Sequence, residues 1–502
     1  MGNTTIMRIL RVHGRWAWLA SAALFASMAP QAIGRAPADN VLRTYQVPQE
    51  LLYKVHNDDF TVRVRQPGGA WHDLYEYAIQ VDTDTKQNAS MVYFDFSGSV
   101  EIEIAKNNGR FATVAVAPLS SKLRPARRGD VVRLTLTRPE RFSLQFDDDR
   151  LHNLHIIAGS LPPLRPSGAG VRYFGPGLHR PDNGAAAFAV HSGEQIYLDG
   201  GAVLQGAFDL RGAHDVTIAG RGLLWDPGQA IELDGSARVT IADLIMVNSD
   251  RRDAARIMNI RNAHDVTVRD LTGFTSGKWS DGINISTAQH VRIDGGYLRV
   301  SDDAVVVYAV ADCPLCRQRE AQTGIKDPMP PGDTTDISVR NLRIWNDVAH
   351  SLFVGHFGDT GTPRTIADVR FENIDIMNMD EDDPDWDGAM AIFSGDGTLV
   401  RNVTFSDIRV DRIEEGRLFN IVAGRNARYN TLPGRGIDGV TLRNIRFTGK
   451  GLTRPALIHG LGEATAVRHV LIDHVTIAGQ RILAARPGQI DIGPFVSDVT
   501  FR

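Results

Sequence analysis

The chain has 502 residues, with 55 Lys and Arg against 59 Asp and Glu, 48 Gly and two Cys, and its formal net charge is -4. A hydrophobic content of 43% and a charged content of 23% are ordinary for a globular protein and exclude wholesale disorder. The mildly negative charge argues against a general nucleic-acid-binding protein, which needs a basic surface. The length allows about three domains, or two of which one is large.

The N-terminal residues have the order of a secretory signal peptide. Arg8, Arg11 and Arg15 form a basic head, the apolar run 16–26 follows, and small residues come next. This order predicts a signal peptide over residues 1–34 and a secreted or periplasmic protein, with an uncleaved anchor as the alternative. Removal of the three arginines takes the formal charge from -4 to -7. No later stretch is long and apolar enough to span a membrane.

Residues 40–165 contain short runs in which apolar and polar residues alternate, separated by Gly, Pro, Asn and Asp. Alternation with period two is typical of strands with one buried face. It predicts an antiparallel β-sandwich over 40–165, with one solvent-exposed face per sheet. Pro162, Pro166 and Gly168 then indicate a linker. The predicted strands are 60–64, 91–96, 100–104, 131–136 and 142–146.

A four-residue phrase of the type Asp-Val-Thr-Ile recurs ten times after residue 185. Its period is roughly 23 to 37 residues, apart from one gap of about 46. Such repetition indicates a solenoid, and the units are too short for two helices and rich in β-branched residues. The pattern predicts a right-handed parallel β-helix over 175–502 in an all-β fold, with a chance run of sandwich strands as the alternative. The second residues of the ten copies are Val216, Val239, Val266, Val291, Ile337, Val369, Val403, Val440, Val470 and Val499.

Three aspartates are spaced by about one period of this repeat. Asp281 precedes the pair Asp302-Asp303 by 21 to 22 residues, and stacked coils lie about 4.8 Å apart. Crowded carboxylates raise one another's pKa, which provides a general acid beside ionised bases. This arrangement suits glycosidic cleavage with inversion, for which the two carboxyls are about 6.5–9.5 Å apart. The alternatives are turn aspartates and a Ca²⁺ site.

A histidine between glycines follows the three acids, in Gly355-His356-Phe357-Gly358. This order resembles the β-helical glycoside hydrolases that include polygalacturonases and dextranases, whose signature runs Asn-Thr-Asp-Gly, Asp-Asp, Gly-His-Gly. The resemblance covers about residues 185–502 and implies that Asp302 is the proton donor. It also implies that Asp281 and Asp303 activate water and that His356 supports the acid or the substrate.

The resemblance also bears on the substrate. Polygalacturonases carry an Arg-x-Lys pair after the histidine, which holds the uronate carboxylate, and none follows His356. A neutral glycan such as an α-glucan is therefore predicted, although Arg417, Arg425 or Arg428 can supply a cation from a later coil. The dextranase-like branch has an N-terminal β-sandwich, as this chain is predicted to have.

Several polar and aromatic residues near the acids are candidates for substrate binding. Trp279, Tyr308 and Trp345 can stack on sugar rings, and Asn284 lies beside Asp281 in the sequence. Each aromatic residue can equally be a packed residue of a coil. We predict Trp279, Asn284 and Tyr308 as substrate-binding residues.

Two further motifs have modest predicted roles. Cys313 and Cys316 form a Cys-x-x-Cys pair without a second pair, which favours a local disulfide over a zinc site. The acidic run 380–388 is interpreted as a solvated loop, with a Ca²⁺ loop or a wall of the substrate groove as alternatives. No metal and no cofactor are predicted.

Taken together, these observations predict a secreted inverting glycoside hydrolase that acts on a neutral α-glucan. The alternatives are a pectin hydrolase like the polygalacturonases, a polysaccharide lyase and a non-catalytic glycan-binding β-helix, since a fold alone does not choose a function. The predicted partner is a polysaccharide or oligosaccharide. We predict no nucleic acid, no membrane contact after signal cleavage, and a monomer.

Overall fold

The structure is a computed structural model that describes residues 40–162, 165–168, 170–248, 253–310, 332–358, 360–449 and 452–502. The predicted signal peptide over 1–34 and the predicted Cys313–Cys316 disulfide lie outside these ranges. Among the described residues, no helix is long and apolar enough to cross a membrane. The described helices are three short 3₁₀ turns, at Leu119–Ser121, Asp182–Gly184 and Glu463–Thr465.

The N-terminal part consists of strands that form two sheets. All five predicted strands are present. The strands are β1 (Val41–Arg43), β2 (Phe60–Arg65), β3 (His72–Asp73), β4 (Tyr77–Val81), β5 (Gln87–Ser97), β6 (Val100–Lys106), β7 (Val114–Ala117), β8 (Ala126–Arg128), β9 (Val131–Leu136), β10 (Glu140–Phe146) and β11 (Leu154–Ser160).

The remaining strands build the coils. They are β12 (Val171–Phe174), β13 (Gly177–His179), β14 (Ala187–Ala189), β15 (Gln195–Leu198), β16 (Ala202–Leu204), β17 (Ala207–Asp209), β18 (His214–Gly220), β19 (Leu223–Trp225), β20 (Ile231–Asp234), β21 (Ala237–Ala242), β22 (Ile245–Asn248), β23 (Met258–Arg261), β24 (His264–Thr275), β25 (Ile283–Ser286), β26 (Gln289–Val300), β27 (Val305–Ala309), β28 (Thr334–Asn346), β29 (Leu352–Gly358), β30 (Thr365–Asn378), β31 (Met390–Ser394), β32 (Leu399–Val410), β33 (Phe419–Ala423), β34 (Ile437–Arg443), β35 (Arg446–Phe447), β36 (Ala456–Gly460), β37 (Val467–Asp473), β38 (Thr476–Ile477), β39 (Gln480–Arg481), β40 (Ile490–Ile492) and β41 (Val496–Phe501).

The two N-terminal sheets differ from the prediction in one pairing and one face. One sheet has the order β3-β2-β6-β9-β8, and the other has β1-β5-β11-β10-β7, with β4 also paired to β5. The β11–β5 pair is parallel, so the sandwich is not purely antiparallel. The predicted exposed face is also wrong for the second sheet, because β5 is almost completely buried on both sides.

The second face of β5 is covered by the coils. Met91 and Tyr93 of β5 belong to an apolar cluster that includes Trp225, Phe274 and Trp345 from the coils. The inner face of the same sheet packs against the other N-terminal sheet. The N-terminal sheets therefore share a continuous apolar interface with the β-helix, and both faces of β5 must be apolar for that reason.

The coils form two long sheets, of 19 and 11 strands, in which all pairings are parallel except that of β38 with β39. The predicted parallel β-helix is confirmed. The ten copies of the recurring phrase pair directly in register through nine successive pairings, from Val216↔Val239 to Val470↔Val499. The first nine side chains are part of one buried core, against which the half-buried Val499 packs, and full burial of each contributes roughly 1.5–3 kcal/mol.

The first residue of the phrase has its own structural role. In all ten copies it has a positive φ, between 53° and 81°, as at Asp215 and Gly439. Residues other than Gly, Asn and Asp rarely adopt this left-handed conformation, and seven of the ten copies have one of these three. The backbone conformation at the corner of each coil therefore favours Asp, Asn or Gly at the first position of the phrase. Burial in the core favours the apolar residue that follows.

Candidate active site

The three predicted acids lie at one edge of the 11-stranded sheet, just before consecutive strands. Asp281 precedes β25, and Asp302 and Asp303 precede β27. In the sheet, Ile283 pairs with Val305, so Asp281 and Asp303 occupy the same position, two residues before the paired strands. The prediction that the acids meet on adjacent coils is therefore correct.

This position is occupied by a charged residue in four successive coils. Met258 pairs with Ile283, and Val305 pairs with Leu352. Two residues before each of the four paired positions stand Arg256, Asp281, Asp303 and His350. The result is a ladder of side chains with the order cation, carboxylate, carboxylate, imidazole, and we call it the charge ladder. Asp302 lies next to it and has no position in it.

The carboxylates are closer together than predicted. One oxygen of each of Asp281, Asp302 and Asp303 lies within 4.8 Å of one oxygen of the other two. This is less than the 6.5–9.5 Å or so between carboxyls that is typical of inverting enzymes. A single water that donates hydrogen bonds of about 2.8 Å to two acceptors separates them by about 4.5 Å. This separation falls within the 4.8 Å limit, so two of the carboxylates can share one water.

Asp281 is buried and held by two donors. Its Oδ2 accepts hydrogen bonds from Arg256 Nε and Asn284 Nδ2, both at 2.8 Å. Burial raises the pKa of Asp281, the charge of Arg256 opposes this rise, and the charge of Asp303 adds to it. Arg256 remains cationic, because the charge of Asp281 raises its pKa in spite of its burial. The ion pair favours the ionised form of Asp281.

Asp302 is the carboxyl with the strongest tendency to hold a proton. Its pKa is raised well above the ordinary value by burial and by the charges of Asp281 and Asp303. Its oxygens accept backbone hydrogen bonds from Trp279 at 3.0 Å and from Asp303 at 2.9 Å. Among the described residues no cation is ion-paired with it. At a pH where Asp281 and Asp303 are ionised, Asp302 is the favoured proton carrier.

Asp303 is bound by His350, which the sequence analysis did not identify. Asp303 Oδ1 lies 2.7 Å from His350 Nδ1 and accepts the His350 backbone N–H at 3.2 Å. The other ring nitrogen, Nε2, contacts the carbonyl of Trp386, which can only accept, so Nε2 carries a proton. Burial would lower the pKa of His350, but the charge of Asp303 and the hydrogen bond to it raise it overall. His350 is thus a cationic partner of Asp303.

The ring of His356 is surrounded by aromatic side chains. Its ring centroid is 4.3 Å from that of Trp386 and 5.3 Å from that of Tyr429, and its Nδ1 has no hydrogen-bond partner among the described residues. Burial, with a contribution from the charge of His350, lowers its pKa well below the ordinary value. The role predicted for His356 stays a prediction, whereas the histidine that contacts one of the three acids is His350.

The predicted substrate-binding residues have different surroundings. Trp279 is exposed, with 56% of its surface accessible, and its backbone holds Asp302. Tyr308 is half-buried and lies 5.8 Å from the His356 ring. Asn284 is buried and donates to Asp281, so it positions a carboxylate. The alternative of sugar stacking by Trp345 is wrong, because that ring is fully buried beneath the N-terminal sheets.

The acidic run 380–388 is only partly solvated, because Asp382, Pro384 and Asp385 are exposed whereas its end is buried. Trp386 is 9% exposed, and Asp387 is fully buried between Arg417 at 2.7 Å and Arg454 at 2.9 Å. The interpretation as a solvated loop fails for this end because later coils supply the two cations, which no local pattern indicates. Arg417, one of the proposed cations for a uronate, is committed to Asp387.

Two residues of the site were missed, Arg256 and His350. Each stands two residues before a strand, at the position that Asp281 and Asp303 occupy in their own coils. An alignment of the coils by their strands, rather than by the recurring phrase of the opposite sheet, would have placed them in the charge ladder. Because the two cations adjoin the two carboxylates, the cluster is compensated by the protein itself.

Comparisons with known proteins agree with this fold. No protein-family model matches the sequence, and no curated protein matches it. Among solved structures, Dex49A from Penicillium minioluteum is similar over 91% of this chain and 96% of its own, with 14% identity and a TM-score of 0.54. The Yersinia enterocolitica family 28 exopolygalacturonase covers 80% of this chain and 96% of its own, with 12% identity and a TM-score of 0.46.

A GH87 alpha-1,3-glucanase from Streptomyces thermodiastaticus is also similar, with 14% identity, coverage of 92% and 86%, and a TM-score of 0.36. The resemblance to β-helical glycoside hydrolases is confirmed at the level of the fold. The similarity to Dex49A extends over the N-terminal sheets as well as the coils, because it spans nine tenths of the chain.

Proposed function

We propose that this protein is a glycoside hydrolase that cleaves O-glycosidic bonds of a polysaccharide with inversion. The observation that supports this most is the distribution of counter-charges. Asp281 is ion-paired with Arg256 and Asp303 with His350, whereas Asp302 is paired with no cation in the part of the chain that the structure describes, and its pKa is raised well above the ordinary value. One proton donor beside two ionised carboxylates is the requirement for acid–base cleavage of an acetal.

In this mechanism Asp302 donates its proton to the leaving glycosidic oxygen. Asp281 and Asp303 each accept one hydrogen bond from the attacking water, which directs a lone pair of the water oxygen at the anomeric carbon. The oxygen separation of at most 4.8 Å agrees with such a shared water. After attack, the water proton passes to one of these carboxylates, and no covalent sugar–enzyme bond forms.

Early-time proton NMR of the product tests the stereochemistry. Inversion of the anomeric configuration is expected from the shared-water mechanism. Retention would indicate a covalent intermediate on Asp281 or Asp303, which the close spacing of the carboxyls would then explain.

For the substrate we propose a neutral glycan of the α-glucan type. The charge ladder has two cations and two carboxylates. With the neighbouring Asp302 protonated and neutral, the charges of the site are balanced without a charge on the substrate. Arg428 lies 3.6 Å from Asp383, and Arg417 is bound by Asp387, so both arginines already have an acidic partner. A desolvated uronate without a cationic partner is costly.

A pectin hydrolase is the second candidate, because Arg256 brings a guanidinium into the site and is 29% exposed. The comparison of initial rates on dextran, pullulan and polygalacturonate at matched concentration separates the two. Faster release of reducing ends from polygalacturonate would contradict the neutral-glycan proposal.

A lyase is disfavoured by the state of Arg256. A lyase needs a basic residue that can accept a proton from the sugar ring, and the charge of Asp281 raises the pKa of Arg256 although burial opposes it. Absence of ultraviolet-absorbing unsaturated products is the expected result. A non-catalytic glycan-binding role would be indicated if no glycan in the screen were cleaved and Asp302→Asn left binding intact.

We further propose that residues 175–502 form the catalytic β-helix, with the N-terminal sandwich over 40–165 as its structural partner. Secretion or a periplasmic location, and a monomeric state, are also part of the proposal. Size-exclusion chromatography with light scattering, and analysis of the N-terminus of the mature protein, test these points.

A further inference from the structure

The face of the 11-stranded sheet forms the floor on which a glycan would lie. Outward-facing residues at one register position follow each other from coil to coil, at Asn284, Val306, Phe353, Ala391 and Asn420. The three acids stand at the start of the first two of these coils. Each further coil adds about 4.8 Å along the axis of the helix.

Two loops approach each other over this floor. The loop 380–388 comes before β31, and the loop 424–434 comes after β33. In parallel coils, segments before the strands lie along one edge of a sheet and segments after them along the other edge. The loops nevertheless touch: the rings of Trp386 and Tyr429 are 5.1 Å apart, and Arg428 lies 3.6 Å from Asp383. We call these two segments the crossing loops.

The indole of Trp386 lies across the floor itself. Its ring is 6.0 Å from His350, which stands before β29, and 4.3 Å from His356, near the end of the same strand. Beneath it are Phe353 at 5.4 Å and Phe393 at 4.9 Å. The floor is therefore covered from edge to edge, beginning one coil beyond Asp303.

Both crossing loops are anchored. Buried Asp387 receives Arg417 and Arg454, and Arg454 also donates to the Asp382 carbonyl at 2.8 Å. In the other loop, Asp396 accepts Asn430 Nδ2 at 2.9 Å and the backbone N–H groups of two following residues. Such buried, hydrogen-bonded contacts describe a fixed barrier rather than a mobile lid.

We propose that the crossing loops close the C-terminal end of the substrate groove, so that the enzyme binds chain ends and acts as an exo-hydrolase. This rests on the proposed glycosidase function and determines its mode of action. One coil step, about 5 Å, separates the strand that follows Asp302 from β29, the first strand that Trp386 covers. That distance accommodates one terminal sugar ring, so the expected product is a monosaccharide, with Trp386 as the surface against which this ring stops.

The test compares the viscosity of a long polymer with the release of reducing ends. With dextran or whichever polymer of the screen is cleaved, we expect reducing ends to rise with little fall in viscosity, and one small product from the earliest time. A rapid fall in viscosity with a mixture of oligosaccharides would overturn the proposal. Absence of cleavage of both the polymers and short oligosaccharides would instead refute the glycosidase function itself.

Variants of the barrier provide the second measurement. Trp386→Ala combined with Tyr429→Ala removes the two rings that meet over the floor and leaves the buried anchor of Asp387 with Arg417 and Arg454 in place. We expect a several-fold larger fall in viscosity per reducing end released, together with longer products. Arg425→Ala is the matched control, because Arg425 binds the Asn430 carbonyl within its own loop. An unchanged product pattern in a folded double variant would overturn the barrier role.

Discussion

Arg256 and His350 occupy the same position in their coils, one on each side of the carboxylates Asp281 and Asp303. Each cation binds the carboxylate next to it, at 2.8 Å and 2.7 Å. The third acid, Asp302, stands outside the ladder and lacks such a contact among the described residues. The stacking of coils thereby gives three chemically identical side chains two kinds of surroundings, which is the difference that the proposed roles of two bases and one acid require.

The first prediction concerns Asp302 as the acid. Asp302→Asn is expected to lower kcat by about 10²–10⁴, because an amide cannot protonate the leaving oxygen. The circular dichroism spectrum should not change, since the two side chains have the same shape. A variant with more than a tenth of the wild-type rate on the same glycan would exclude Asp302 from this role.

The same substitution has an effect on stability that depends on pH. The pKa of Asp302 is raised in the folded state, so the native protein binds this proton more tightly than the unfolded chain does. Its contribution to stability is therefore lost as pH rises from the unfolded pKa of about 3.9 through the folded pKa. Asp302→Asn should raise the Tm at pH 7 and leave it unchanged below about pH 4. If Asp302→Asn and the wild type had the same Tm at pH 7 as well as below about pH 4, the raised pKa of Asp302 would be contradicted.

A further prediction distinguishes the two histidines. His350→Gln should lower kcat and shift the pH–rate profile, because Asp303 loses its cationic partner while the volume at the site is nearly kept. His356→Asn should affect the profile much less, since His356 contacts aromatic rings and Asn tolerates its φ of 81°. Steady-state kinetics from pH 4 to 9 would show this. A stronger effect at His356 would restore the assignment made from the sequence.

Arg256 is expected to set the acidic limb of the same profile. Its charge opposes the rise that burial imposes on the pKa of Asp281. Arg256→Ala should therefore move the acidic limb of kcat/KM to higher pH, and Arg256→Lys, which keeps the charge, should move it less. Should the limb stay in place in the alanine variant, Asp281 would not be the base that titrates there.

The last prediction concerns an ion pair within the coils that is buried at their interface with the N-terminal sheets. Arg299 and Asp347 are fully buried and form a two-pronged pair at 2.9 Å, and Arg299 also donates to the side chain of Asn153. Asp347 begins the segment that leads to His350. Asp347→Asn is expected to cost about 3–5 kcal/mol, because it leaves a buried charge uncompensated, and also to lower kcat.

Asp95→Asn is the matched control for this effect. Asp95 pairs with Arg221 across the same interface, equally buried but far from the catalytic segment in the fold. Asp95→Asn should lower the Tm by a similar amount, but the kcat of the folded fraction should not change. Equal losses of kcat in both variants would show that the interface affects activity only through global stability.

Much of the architecture was determined by the sequence itself. The recurring phrase fixed the β-helix, because an inward valine needs a partner valine in the next coil and the coil corner needs a residue that accepts positive φ. The spacing of Asp281 from Asp302-Asp303 placed the three acids together, because it equals one coil. These are local or periodic constraints, and a single chain displays them directly.

The tertiary structure decided which groups compensate these acids and what covers the groove. Arg256 and His350 are separated from their carboxylates by 25 and 47 residues and carry no motif of their own, so only the register of β23, β25, β27 and β29 brings them into contact. Likewise, Asp387 is buried because arginines from later coils reach it, and Trp345 is buried because the N-terminal sheets cover it. Long-range pairing depends on the register of stacked coils and on the meeting of distant surfaces, and local sequence patterns do not encode either one.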